Sequence, residues 1–125
     1  MKVGDTATVR RTFSSQNLRD YTRLSGHEVT GGQIPEPLIG ALFSYLLGVQ
    51  MPGLGTNYLK QETRFLASAM IGEVLTARVE ITRIRPDKQL VDLATTCRGS
   101  DGDIIASGRA LVYVGDVKRG TGFDS

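Results

Sequence analysis

Few side chains in this 125-residue sequence can move a proton near neutral pH. The single histidine, His27, is followed directly by Glu28, and eight positions further on Glu36 stands between Pro35 and Pro37. A neutral imidazole is a competent base near pH 7, and a desolvated carboxyl group can return the proton. His27 with Glu28 beside it, or with Glu36 across a pocket, is therefore the pair on which acid–base chemistry would rest. The simpler readings stand alongside: His27 as a solvated loop histidine after a helix end, and Glu36 as a first-turn carboxylate favoured by the helix dipole. Ser44 lies in an apolar segment, where a serine either bonds back to the carbonyl four residues earlier or faces a ligand. No base is placed by sequence to make it a nucleophile.

Other chemistries are excluded by count or spacing. One Cys and one His cannot make a disulfide framework or a His/Cys zinc cage, and Cys97, on an alternating segment, reads as a small core residue. Gly53-Leu54-Gly55 lacks the third glycine of a dinucleotide fingerprint and leads into a strand, so it reads as a turn. Fifteen Lys and Arg against thirteen Asp and Glu leave a net charge of +2, too little to steer the chain onto nucleic acid. Arg64, Arg83, Arg85, Lys88 and Arg109 read mainly as solvated strand or turn charges. The first thirteen residues lack an apolar stretch, so no secretory leader is expected. The longest apolar run, residues 38–49, falls short of the ~20 residues of a membrane span. A cytoplasmic protein with no metal, cofactor, membrane or nucleic-acid partner is the expectation.

The elements that must position these groups follow from periodicity. Residues 4–13 alternate as a first strand, with Ala7, Val9 and Phe13 on one side. Ser14 or Ser15 can cap a short helix carrying Leu18, Tyr21 and Leu24, closed by Gly26. Pro35-Glu36-Pro37 opens a second helix over residues 38–49. Its apolar residues fall on nearly every face, so something must wrap it. Only strands remain to do so: 56–65, 73–83, 89–97 and 104–114, read as a four-strand meander with turns at residues 85–88 and 100–103. The chain is one domain long: residues 1–114 form the domain, and 115–125 are expected to be a flexible tail. The predicted fold is α+β, an antiparallel five-stranded sheet wrapped round a long central helix. This is the hot-dog architecture, and joining two such sheets edge to edge would remove an exposed edge from each.

Longer strings carry a resemblance. Leu42-Phe43-Ser44-Tyr45-Leu46-Leu47-Gly48, then Met51-Pro52-Gly53-Leu54-Gly55-Thr56-Asn57-Tyr58-Leu59-Lys60-Gln61, Arg64-Phe65-Leu66 and Gly72-Glu73-Val74-Leu75-Thr76-Ala77-Arg78-Val79-Glu80, together with Phe13 and Leu24-Ser25-Gly26, resemble the MaoC-like, (R)-specific enoyl-CoA hydratase family. The similarity covers nearly the whole chain except the tail. It implies a homodimer of hot-dog subunits that holds the acyl chain and pantetheine arm of an acyl-CoA or acyl-carrier thioester against the central helix. In active members an Asp and a His activate a water that adds across the 2,3 double bond. A backbone N–H at the helix start meets the thioester oxygen as it gains charge.

This sequence departs from that pattern at the dyad. Ser25-Gly26-His27 puts an imidazole where the family has its aspartate, and the family's Asn-Pro and catalytic His are missing before the central helix. Pro35-Glu36-Pro37 replaces the family's His-Gly, which leaves the N–H of Glu36 as the nearest oxyanion donor. Ser44 falls where active members carry a substrate-facing serine. His27, Glu36 and Ser44 are thus the catalytic candidates, with Glu28, Gly53, Gly55, Asn57 and Tyr58 as substrate contacts. Hydration or dehydration of an enoyl-CoA is the leading reading. A thioesterase using Glu36, by resemblance to other hot-dog enzymes, and a non-catalytic acyl-CoA-binding module remain as alternatives.

Overall fold

The structure, a computed structural model, describes residues 2–26, 31–50 and 57–114, without the side chains of 57 and 58. His27, Glu28, Gly53, Gly55 and the expected tail lie outside the described residues. Strand β1 (Thr6–Thr12) leads into helix α1 (Ser15–Ser25) and then α2 (Glu36–Tyr45), which continues as a π-helical turn, Leu46–Gln50. Strands β2 (Asn57–Phe65), β3 (Val74–Arg85), β4 (Leu90–Arg98) and β5 (Ile104–Tyr113) follow. Ser14 caps α1: its Oγ accepts from the Asn17 N–H at 3.2 Å, while Asn17 Oδ1 accepts from the Ser14 N–H at 2.8 Å. Gly26, at φ 76°, ends the helix with its N–H bonded to the Thr22 carbonyl at 2.9 Å.

All five strands form one antiparallel sheet in the order β1-β3-β4-β5-β2. The four-strand meander expected from sequence is thus only three strands long, because β2 pairs with β5 at the far edge instead of with β3. Alternation identifies strands but carries no information about which strand each one pairs with. The connection from β2 to β3 crosses the end of the sheet, with the Leu66 and Ala67 N–H groups donating to the Ile105 carbonyl at 2.8 and 3.3 Å. Further along, the Gly72 N–H reaches the Phe13 carbonyl at 3.0 Å. Glycine is required at 108, where a Cβ would run into the backbone carbonyl of Glu62 on β2.

The core lies between the sheet and α2. Leu75, Ala77, Val79 and Ile81 of β3, with Val91, Leu93 and Cys97 of β4, alternate onto one face and bury against Ile39, Leu42, Phe43, Leu46 and Leu47. Among the described residues the helix is covered on that side alone. Ala41, Ser44, Tyr45 and Val49 face outward, Tyr45 being 46% and Val49 57% exposed. One five-stranded antiparallel sheet packed on the central helix is the α+β arrangement expected from sequence, and its single inner face covers one side of α2. Among the described residues no helix is long and apolar enough to cross a membrane.

Candidate functional site

The first turn of α2 is built by its prolines. Pro35 is the N-cap, at φ −61° and ψ 140°, and Pro37 sits within the first turn, so ring geometry fixes the backbone on both sides of Glu36. The same two residues withdraw two N–H donors from the helix start, leaving that of Glu36 between them. The Glu36 carboxylate occupies the positive end of the helix dipole.

The segment ahead of this turn is clipped to the β2–β3 connection. The Ile34 N–H donates to the Ala69 carbonyl at 2.8 Å, and the Ile71 N–H donates to the Gly32 carbonyl at 2.9 Å. Both glycines leading in are left-handed, Gly31 at φ 68° and Gly32 at φ 72°, a conformation that side-chain-bearing residues rarely adopt. Gln33 Nε2 then donates to Ser68 Oγ at 3.2 Å. Together these elements border an open, mainly polar pocket of about 230 Å³, lined by Gln33, Glu36 and Ser68 with Ile34, Ile39 and Phe65 among its apolar residues.

A second cavity, about 400 Å³, opens between β1, α1 and α2, with Phe13, Tyr21, Leu24 and Leu38 among its walls. That volume lies within the range of ligand pockets, roughly 300–1,000 Å³. The first turn of α2 contributes to both cavities, Glu36 and Ile39 to one and Leu38 to the other. Leu24, six positions and so about 120° round the helix from Leu18, is 85% exposed and lines this opening, whereas Leu18 is buried.

The structure separates the sequence candidates. Glu36 lines the smaller cavity, but Ser44 lies eight residues further on, about 12 Å along the helix at the usual rise, on the outward face. Among the described residues its hydroxyl makes no hydrogen bond back to Gly40, nor does Ser44 line either cavity beside the first turn. The backbones of Asn57 and Tyr58 pair with Tyr113 and Val112 at the start of β2. Gln33 and Ser68 were missed in the sequence. They are 35 positions apart, belong to no periodic segment and meet only through the fold.

The charged residues of the outer sheet face are largely engaged with one another. Arg85 grips Asp92 through two nitrogens, at 2.7 and 3.1 Å. Glu62 lies 3.1 Å from Lys60 and 3.4 Å from Arg109, and these two cations, Lys60 foremost, hold its carboxyl below the usual range. On the inner face, burial pushes the Cys97 thiol up to about 11, with the charge of Glu73 adding to the effect. A thiol so protonated is a core residue, not a nucleophile.

No family model matches the chain. The (R)-specific enoyl-CoA hydratase of Aeromonas caviae is 40% identical over 75 residues, a match spanning 60% of this chain and 56% of that enzyme. The (R)-specific enoyl-CoA hydratase of Rhodospirillum rubrum is 30% identical over 128 residues, covering 91% of this chain and 88% of that one. Among solved structures, the (R)-hydratase from A. caviae superposes with a TM-score of 0.84 at 30% identity, over 91% of this chain and 97% of that one.

Proposed function

Since the chain belongs to the MaoC-like, (R)-specific enoyl-CoA hydratase family of hot-dog proteins, we propose that it adds water across the 2,3 double bond of an enoyl-CoA, and removes it in reverse. The observation that carries this reading is a carboxylate at the mouth of the central helix, lining an open pocket, in a chain that matches an (R)-specific enoyl-CoA hydratase along 91% of its length.

In the forward direction the water oxygen bonds to C3 while one of its protons leaves to a base, and a proton is delivered to C2. His27 and Glu36 are the two groups assigned to these transfers. Electron density moves onto the thioester oxygen as the C3–O bond forms. The N-terminal end of α2, with the Glu36 N–H between two prolines, offers that oxygen a positive field. Glu36 takes over a position that the family fills with His-Gly, and His27 the position of its aspartate. The acid–base pair is thus rebuilt from exchanged residue types.

The outward face of α2 supports a homodimer. Tyr45 and Val49 leave apolar surface uncovered beside Ser44, and a second copy of the chain would bury it and bring Ser44 into a covered site. The substrate so handled is a fatty acyl thioester intermediate.

The test is hydration of a short 2-enoyl-CoA by the purified chain, followed as loss of the conjugated thioester absorbance. Glu36→Gln is expected to lower kcat by about 100-fold or more, the range of a lost general acid or base. An unchanged kcat in that variant would remove Glu36 from the chemistry.

A further inference from the structure

Strand β1 turns Ala7 and Val9 toward the core, Phe13 just past its end is buried there too, and the same every-second-residue spacing puts a charge, Arg11, between them. Its guanidinium lies 5.0 Å from the centroid of the Phe13 ring, within reach of a cation–π contact. Phe13 itself is buried. Arg11 borders the 400 Å³ cavity walled by Phe13, Tyr21, Leu24 and Leu38. The carboxylate of that cavity among the described residues, Asp20, is already engaged, accepting from Arg23 at 2.8 Å and from Gln16 at 2.9 Å. Arg11 therefore has no carboxylate partner among the described residues, in contrast to Arg78, Arg85 and Arg109.

An apolar slot with an uncompensated guanidinium at its lip fits a ligand with a slender, largely uncharged stem ending in an anion. Resting on the function proposed above, we propose that this cavity holds the pantetheine arm of the thioester substrate and that Arg11 pairs with the phosphate at the end of the arm. Guanidinium binds phosphate through paired N–H groups, and stacking on Phe13 holds it at the lip. The phosphate is common to CoA and to the prosthetic arm of an acyl-carrier protein, so both sources share this recognition. The leading competing role is protection of an edge strand, for which an inward-pointing charge is a known device.

Titration calorimetry of the intact chain with phosphopantetheine and with pantetheine separates these roles. The wild type should bind the phosphorylated arm at least about tenfold more tightly, as a charged hydrogen-bonded pair gives. Arg11→Met, which keeps the apolar stem, should abolish the preference, Arg11→Lys should restore part of it, and Leu24→Asp should weaken both ligands alike. Arg11→Met should also raise KM more than it lowers kcat, for an enoyl-CoA if CoA is the carrier and for an enoyl-carrier protein if that is. Equal binding of the two arms by the wild type overturns the proposal. So does an Arg11→Met chain that keeps the preference and merely aggregates, since that assigns Arg11 to edge protection. Hydration of enoyl-CoA without a phosphate preference overturns this inference and leaves the proposed function standing, whereas a phosphate preference without hydration does the reverse.

Discussion

The two sides of α2 carry similar apolar residues with opposite fates. Ile39, Leu42, Phe43, Leu46 and Leu47 meet the sheet and are buried, while Tyr45 and Val49, one or two positions away, remain in solvent. A helix rotates 100° per residue, so adjacent apolar positions can lie on opposite sides of a surface that is present on one side alone. The inner side is where stability is made. The outer side leaves Tyr45 and Val49 in solvent, the surface proposed above for a second copy, and the first turn, at one end of both, holds Glu36. Apolarity all round a helix therefore does not imply burial within one chain.

This contrast can be broken most severely from inside. Phe43→Ala removes a fully buried ring and is expected to cost about 3–5 kcal/mol in denaturant unfolding; a loss under 1 kcal/mol would mean the inner side is not the close-packed one. A smaller effect probes the dryness of the sheet face beneath the helix. Cys97 has its pKa raised from 9.0 to about 11, so the unfolded thiol ionises first as pH rises. The resulting stabilisation is complete below pH 9 and lost as pH rises through 11, a fall of up to about 2–3 kcal/mol. Cys97→Val should lack that fall; unfolding profiles that run parallel from pH 8 to 11 would show the thiol is not desolvated. The smallest effect on stability belongs to the outer side. Tyr45→Lys should change unfolding free energy by no more than about 0.5 kcal/mol yet shift sedimentation from dimer to monomer. A large loss of monomer stability, or an unchanged association state, would erase the distinction between the two sides.

Local chemistry made much of the fold legible. The Ser14 cap, the Gly26 stop and the strand segments are visible in sequence because each depends on residues within a few positions of one another. The partner of β2 is not, because its pairing with β5 joins Asn57 to Tyr113 and Phe65 to Ala106 across most of the second half of the chain. The site divides in the same way. Glu36 was visible through its flanking prolines and its place at a helix start. Gln33 and Ser68 became a pair only when the β2–β3 connection folded back against the segment before α2. Nothing in the sequence singles out Arg11, whose place beside a cavity is visible only once the fold sets β1 next to α1 and α2. Ser44 matched a family position, but in a single chain it stands on the open side of the helix, away from Glu36.

The central claim, that this chain hydrates an enoyl thioester with chemistry centred on Glu36 and His27, is tested most directly by one rate measurement. Purified chain at high concentration is mixed with a short 2-enoyl-CoA, and consumption of the conjugated thioester is compared for the wild type and Glu36→Gln. The account predicts formation of the 3-hydroxyacyl-CoA by the wild type and a loss of about 100-fold or more in the variant. No hydration by the wild type, with thioester binding still detected by calorimetry, would contradict it and leave the chain a binding protein on a hydratase fold.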